Sequence, residues 1–302
     1  MPEHHFTDET NAPLTALGIW RFWPLRFVLF FVVLTGAYVG CGLLAGVVPK
    51  KLPFIPVDLS RPAFVLLGIA IMITIYRLLV RWTEKRGISE LAATRAFPHL
   101  LGGVLLGFAM FSGVIAIDVM LGGARVEGFA GFDGLVSALS MALLAGVAEE
   151  LIFRGAIYRL LEDGFGTLIA IVLSGVLFGL LHIFNPGATL ASTAAIAVEA
   201  GILLAAAYLV TRSLWLAIGL HIGWNFTEGG IFGASVSGGK SHGLITTVFA
   251  GPDWLTGGKF GPEASLTAVP LCVVVAVVLL AVAIRRGDWK PLRFRFATRS
   301  EE

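Results

Sequence analysis

Asp118, Glu149, Glu150, Arg154, His182, Glu199, His221 and Asn225 stand within stretches that are otherwise apolar. A charge held in hydrocarbon costs at least ~2.5 kcal/mol, so such groups turn toward a protein interior and are functional candidates. In the run Ala-Gly-Val-Ala-Glu149-Glu150-Leu-Ile-Phe-Arg154, a helix sets Glu150 and Arg154 one turn apart on one face, where they can pair. Glu149 points about 100° away and lacks that partner. A carboxylate without a counter-ion in a low-dielectric site is suited to take up and release a proton near neutral pH. His182 follows Phe178 by one turn, and His221 precedes Asn225 by one turn, each pair on one helix face. Taken singly, each histidine reads as a hydrogen-bonded core residue, Phe178 as packing and Asn225 as a link to a neighbouring helix. Chemistry requires that they converge.

Convergence depends on helices long enough to cross a bilayer. The 302 residues are 57% hydrophobic and only 14% charged, against roughly 25% charged in a soluble domain. Apolar runs cover 27–48, 63–80, 100–121, 135–161, 167–184, 188–210, 214–231 and 268–284, each about the length that spans ~30 Å of hydrocarbon as a helix. The expected fold is all-α, a polytopic membrane protein with a bundle of about eight transmembrane helices forming a single integral membrane domain over 1–302. The first run exceeds the apolar core of a signal peptide and is read as a retained span. Sixteen of the 22 lysines and arginines then fall on one side, which places both termini in the cytoplasm. The stretch 227–265 is expected to be a Gly-rich non-cytoplasmic loop, and 285–302 a basic cytoplasmic tail.

Within this frame, Asp163, Gly164 and Gly166 mark a tight turn between the fourth and fifth runs. Glu149 and His182 lie 16 and 17 residues from Phe165, so antiparallel helices would hold them at nearly the same depth. Glu199 is a lone carboxylate midway along the sixth run, open to a role beside the histidines or to structural pairing, whereas Asp118 reads as interfacial. The net charge of +2 gives no basis for a nucleic-acid partner. Cys41 and Cys272 lie inside apolar runs and read as buried hydrophobes.

The ordered motifs Glu149-Glu150-x-x-x-Arg154, Phe178-x-x-x-His182 and His221-x-x-x-Asn225 resemble those of the CAAX-protease and bacteriocin-processing (CPBP) family, which includes type II CAAX prenyl endopeptidases. The resemblance covers 135–225, a CPBP-like catalytic core, and is strengthened by the segment from Thr211 to His221. It implies an eight-helix fold, a bacterial inner-membrane location and hydrolysis of a peptide bond in a membrane-associated peptide or protein, prenylated or CAAX-like among the options. Such hydrolysis needs a water, a base and oxyanion donors. Glu149 would act as base with His182 orienting the water, His221 and Asn225 would donate to the oxyanion, and Arg154 would brace Glu150. The alternative is a metallopeptidase in which His182, His221 and a glutamate hold Zn²⁺. Two readings from other classes are a non-catalytic scaffold or bacteriocin-immunity protein of the same fold, and a proton-coupled carrier.

Overall fold

The computed structural model describes residues 20, 22–52 and 54–295. Residues 1–19 and Arg21 at the start, and 296–302 of the basic tail, lie outside the described residues. The helices run in the order α1 (Trp23–Val47), α2 (Val57–Glu84), α3 (Ala96–Met120), α4 (Leu135–Glu150), α5 (Arg159–Phe165), α6 (Thr167–Leu181), α7 (Leu190–Ile196), α8 (Leu203–Thr211), α9 (Leu214–Asn225), α10 (Asp253–Thr256) and α11 (Ala268–Arg285). Three π-helical stretches, Leu151–Tyr158, Ala197–Ile202 and Phe226–Ile231, join α4 to α5, join α7 to α8 and extend α9. Two strands, β1 (Ala124–Phe129) and β2 (Ile245–Phe249), pair antiparallel with a bulge between Val126 and Gly128.

Seven helical segments are long and apolar enough to cross a membrane. Their outward faces carry Val28, Val32 and Leu43 on α1, Leu66 and Leu67 on α2, and Val274, Val277 and Val278 on α11, all exposed. A face that apolar has no stable place in water. The eighth expected span, 214–231, is helical throughout, but His221, Asn225 and Glu228 make it too polar to stand among the seven. Protein rather than lipid surrounds it: α9 packs on α3, α4 and α8, and ten of its twelve residues are buried.

Small residues let α9 reach that position. Gly103 and Gly107 on α3 face Gly219 and Gly223 on α9, so two G-x-x-x-G faces meet backbone to backbone. A Cβ at Gly223 would sit 2.3 Å from the Val104 carbonyl oxygen, and one at Gly107 2.4 Å from that of Leu220. On the other flank, Gly175 and Gly179 of α6 lie against the backbone around Thr193, Ala197 and Gly201. Both crossings fix helices that carry the candidate site: α9 bears His221 and Asn225, and α6 bears Phe178 and ends at His182.

The two ends of the described chain meet at one end of the bundle. Residues 290–295 form a strap over the α5–α6 turn, in which the Thr167 amide donates to the Lys290 carbonyl and the Arg295 amide to that of Gly164. The Trp23 indole N–H donates to the Arg295 carbonyl at 2.7 Å. Gly166 adopts φ +88°, and a Cβ there would lie 2.3 Å from the Pro291 carbonyl oxygen, so only glycine makes this turn under the strap. Lys290 pairs with Glu162 and Asp163, each at 3.0 Å.

Candidate active site

Glu150, Arg154 and His221 form one buried hydrogen-bonded chain. Arg154 Nη1 donates to Glu150 Oε1 at 2.8 Å, and His221 Nδ1 lies 3.0 Å from the same oxygen. A carboxylate only accepts, so His221 donates through Nδ1 and presents Nε2 on its other side. Arg154 Nη2 also donates to the carbonyls of Ala200 and Gly201, in the π-helical stretch of the neighbouring helix, at 2.9 and 3.0 Å. The guanidinium stacks 4.8 Å from the centre of the Phe178 ring. Arg154 thus ties three helices together through Glu150, Phe178 and two carbonyls. Two of the three π stretches take part, Leu151–Tyr158 carrying Arg154 and Ala197–Ile202 its two carbonyl acceptors, in keeping with the frequent placement of π-bulges at functional sites.

Phe178 in turn sets His182. Their rings are 4.7 Å apart, and His182 Nδ1 lies 2.8 Å from the Phe178 carbonyl oxygen, which again commits Nδ1 as donor and leaves Nε2. Phe178, His182, His221 and Asn225 line a single cavity together with Glu199, Trp224, Ser237 and Glu263. Room for water centres amounts to about 30 Å³, enough for one or two waters. Ser237 and Glu263 come from the stretch 227–265, so that stretch closes over the site and carries structure of its own in β2 and α10.

Glu149 stands beside this cavity and is not part of its lining. Its Oε1 accepts from the Tyr38 hydroxyl at 3.0 Å. Its Oε2 is buried, has no hydrogen-bond partner and lies 3.9 Å from His221 Nε2. The six sequence candidates therefore fall into a brace of Glu150, Arg154 and His221, a cavity wall of His182, His221 and Asn225, and Glu149 against His221. Asp118, near the end of α3, is buried and is not part of the cavity lining.

Two further acids, Glu228 and Glu263, are buried here and were not singled out from sequence. Glu228 follows Asn225 by three residues within the run 214–231, which is helical to its end with Phe226–Ile231 in π form. Burial pushes the Glu263 carboxyl above the usual range, against the pull of Ser237 and His182. Glu199 accepts from the Cys272 thiol at 3.3 Å.

The donor set was tested against a zinc ion. Among the described residues, no three histidine, cysteine, aspartate or glutamate side chains converge as metal ligands. The free Nε2 atoms of His182 and His221 could each ligate a metal, since a ligating histidine commonly donates its other ring N–H as these do, but no third ligand among the described residues converges with them and Glu150 is held by Arg154. In this arrangement the residues do not fit a His₂Glu centre, and no step below passes through a metal.

Residues 131–227 match the family model for Rce1-like type II CAAX prenyl endopeptidases. The family resemblance carried by the three motifs is confirmed. The Rce1-like segment runs from just before α4 into the π stretch after α9, about a third of the chain, and contains all six candidates. Tyr38 and Glu263 lie outside it. No curated protein and no solved structure matches the chain.

Proposed function

We propose that this chain is an intramembrane endopeptidase that hydrolyses a peptide bond of a membrane-associated peptide or protein, with Glu149 as general base. The observation that carries the reading is the Glu149 carboxylate: one oxygen is held by Tyr38, and the other is buried, unpartnered and 3.9 Å from His221 Nε2. His221 in turn shares a cavity wall with His182 and Asn225, all three within the Rce1-like segment. The match to a family of CAAX prenyl endopeptidases supports a CAAX-like, C-terminally lipidated substrate. The excess of basic residues on one side supports termini on the cytoplasmic side of the membrane.

The chemistry follows from the free atoms. A water placed between Glu149 Oε2 and the substrate carbonyl gives its proton to Oε2 as its oxygen adds to the carbonyl carbon. The carbonyl electrons become an oxyanion, to which the Asn225 side-chain amide donates. His221 joins as a second donor when Nε2 carries a proton, and the Glu150 carboxylate at Nδ1 balances that added charge. His182, with Nδ1 committed to the Phe178 carbonyl, accepts through Nε2 and orients the water. Collapse of the intermediate breaks the C–N bond as the proton on Oε2 passes to the leaving nitrogen. Glu150 and Arg154 position His221 and take no part in the proton transfer.

The test is cleavage of membrane-anchored and lipidated peptides by the purified protein. Glu149→Gln should remove activity, His182→Ala and Asn225→Ala should each lower kcat by roughly 10²-fold or more, and chelator should have no effect. Loss of activity to chelator with restoration by Zn²⁺ would transfer the histidines to a metal and overturn the glutamate-base assignment.

A further inference from the structure

We infer that Tyr38 is a positioning residue for the reaction, holding the Glu149 carboxylate so that a single defined oxygen acts as the base; this rests on the glutamate-base reading above. Tyr38 belongs to α1, which lies outside the Rce1-like segment. It is the only tyrosine on that helix. One tyrosine in an apolar run that also holds Trp23, Phe27, Phe30 and Phe31 gives no sign of chemistry, and the role becomes visible only when α1 is packed against the π stretch Leu151–Tyr158.

The geometry assigns the role. A carboxylate only accepts and a neutral phenol can donate, so the 3.0 Å contact is a charge-assisted bond from the Tyr38 hydroxyl to Oε1. The terminal torsion of a glutamate is broad and nearly two-fold, so without an anchor the two oxygens interchange and either one can turn toward His221. With Oε1 held, Oε2 faces His221 Nε2 at 3.9 Å and has no other partner. The groups around the carboxylate are Tyr38 from α1, His221 from α9, and Glu150 and Arg154 farther along its own helix. Of these, Tyr38 is the one that donates to Glu149 among the described residues.

During turnover the water proton moves to Oε2 and then to the leaving nitrogen. Oε1 becomes the carbonyl oxygen of a carboxylic acid in between and accepts from Tyr38 throughout, so Tyr38 keeps its own proton. Its contribution is to orientation, which acts on kcat more than on binding. Tyr38 also lines a groove between α1, α2 and α4, bordered by Gly42, Gly46, Leu144 and Ala145. Its ring walls that groove from Glu149, and phenylalanine preserves the wall while deleting the hydroxyl.

The test compares wild type, Tyr38→Phe and Glu149→Gln as full-length protein in detergent, on one membrane-anchored peptide that the wild type cleaves, with kcat, KM and melting temperature measured together. Tyr38→Phe should lower kcat by roughly 10- to 100-fold with KM within about twofold and the melting temperature unchanged. Glu149→Gln should be inactive. Wild-type kcat in Tyr38→Phe beside an inactive Glu149→Gln overturns the role of Tyr38 and leaves the base assignment standing. A fall in kcat matched by a fall in melting temperature makes Tyr38 a packing residue and also overturns it. Activity in Glu149→Gln removes the base itself.

Discussion

Arg154 is 1% exposed and has more to satisfy than any other side chain at the site. Its guanidinium meets a carboxylate, two carbonyls and an aromatic face, which a lysine ammonium cannot match in shape. Arg154→Lys should therefore lower stability and activity together, visible as a lower melting temperature and reduced kcat. Glu150→Ala strands the buried guanidinium and removes the acceptor that orients His221. Breaking a buried pair from one side costs about 3–5 kcal/mol, so this variant should unfold at markedly lower temperature, and a wild-type melting curve would contradict the brace. Glu263→Gln should act in the opposite sense. Burial raises the Glu263 carboxyl above its unfolded value, so the folded state binds the proton more tightly and gains stability as pH falls. Above the unfolded value this shift weighs against folding, so Glu263→Gln should raise the melting temperature at neutral pH and flatten its dependence on pH.

The elements show which of these features the sequence makes legible. Helix existence follows from apolar runs, and the ends move by a turn or so: the run 63–80 becomes Val57–Glu84 because Arg81, Trp82, Thr83 and Glu84 continue the helix past the apolar stretch. The three motifs are legible because each places its two side chains one turn apart. The π stretches are not, since a widened turn leaves no compositional mark, and with them goes the reach of Arg154 to Ala200 and Gly201. Tyr38 is hidden for a different reason: its partner is 111 residues away. The facing glycines of α3 and α9 are visible as G-x-x-x-G patterns, but their pairing is a tertiary fact. Gly223→Ala should force these helices apart and cost about 1–3 kcal/mol, with kcat falling because His221 and Asn225 move with α9. At the α2–α3 connection, burial alone would raise Glu90, yet hydrogen bonds from Arg86 and Tyr76 and the charge of Arg159 draw it down to about 2. Its stabilisation is complete above the unfolded value near 4.3 and fades as pH falls toward 2. Glu90→Gln should thus lower the melting temperature at neutral pH and remove part of the loss seen between about pH 4 and pH 2.

At the scale of the whole molecule, the bundle is a frame around one polar helix. Seven segments are long and apolar enough to cross a membrane, and α9 is enclosed by α3, α4 and α8, which accommodates His221 and Asn225 inside the bundle. The contact of Trp23 with Arg295 puts both ends of the described chain on one side of the bundle. Reporter fusions at the two termini should accordingly score on the same face of the membrane, and opposite scores would contradict an even number of crossings. The most direct measurement is hydrolysis of a membrane-anchored peptide by purified wild type and Glu149→Gln, each with and without chelator. Glutamate-base catalysis predicts cleavage by wild type that is indifferent to chelator and no cleavage by a well-folded Glu149→Gln, whereas cleavage by Glu149→Gln at the wild-type rate would contradict it.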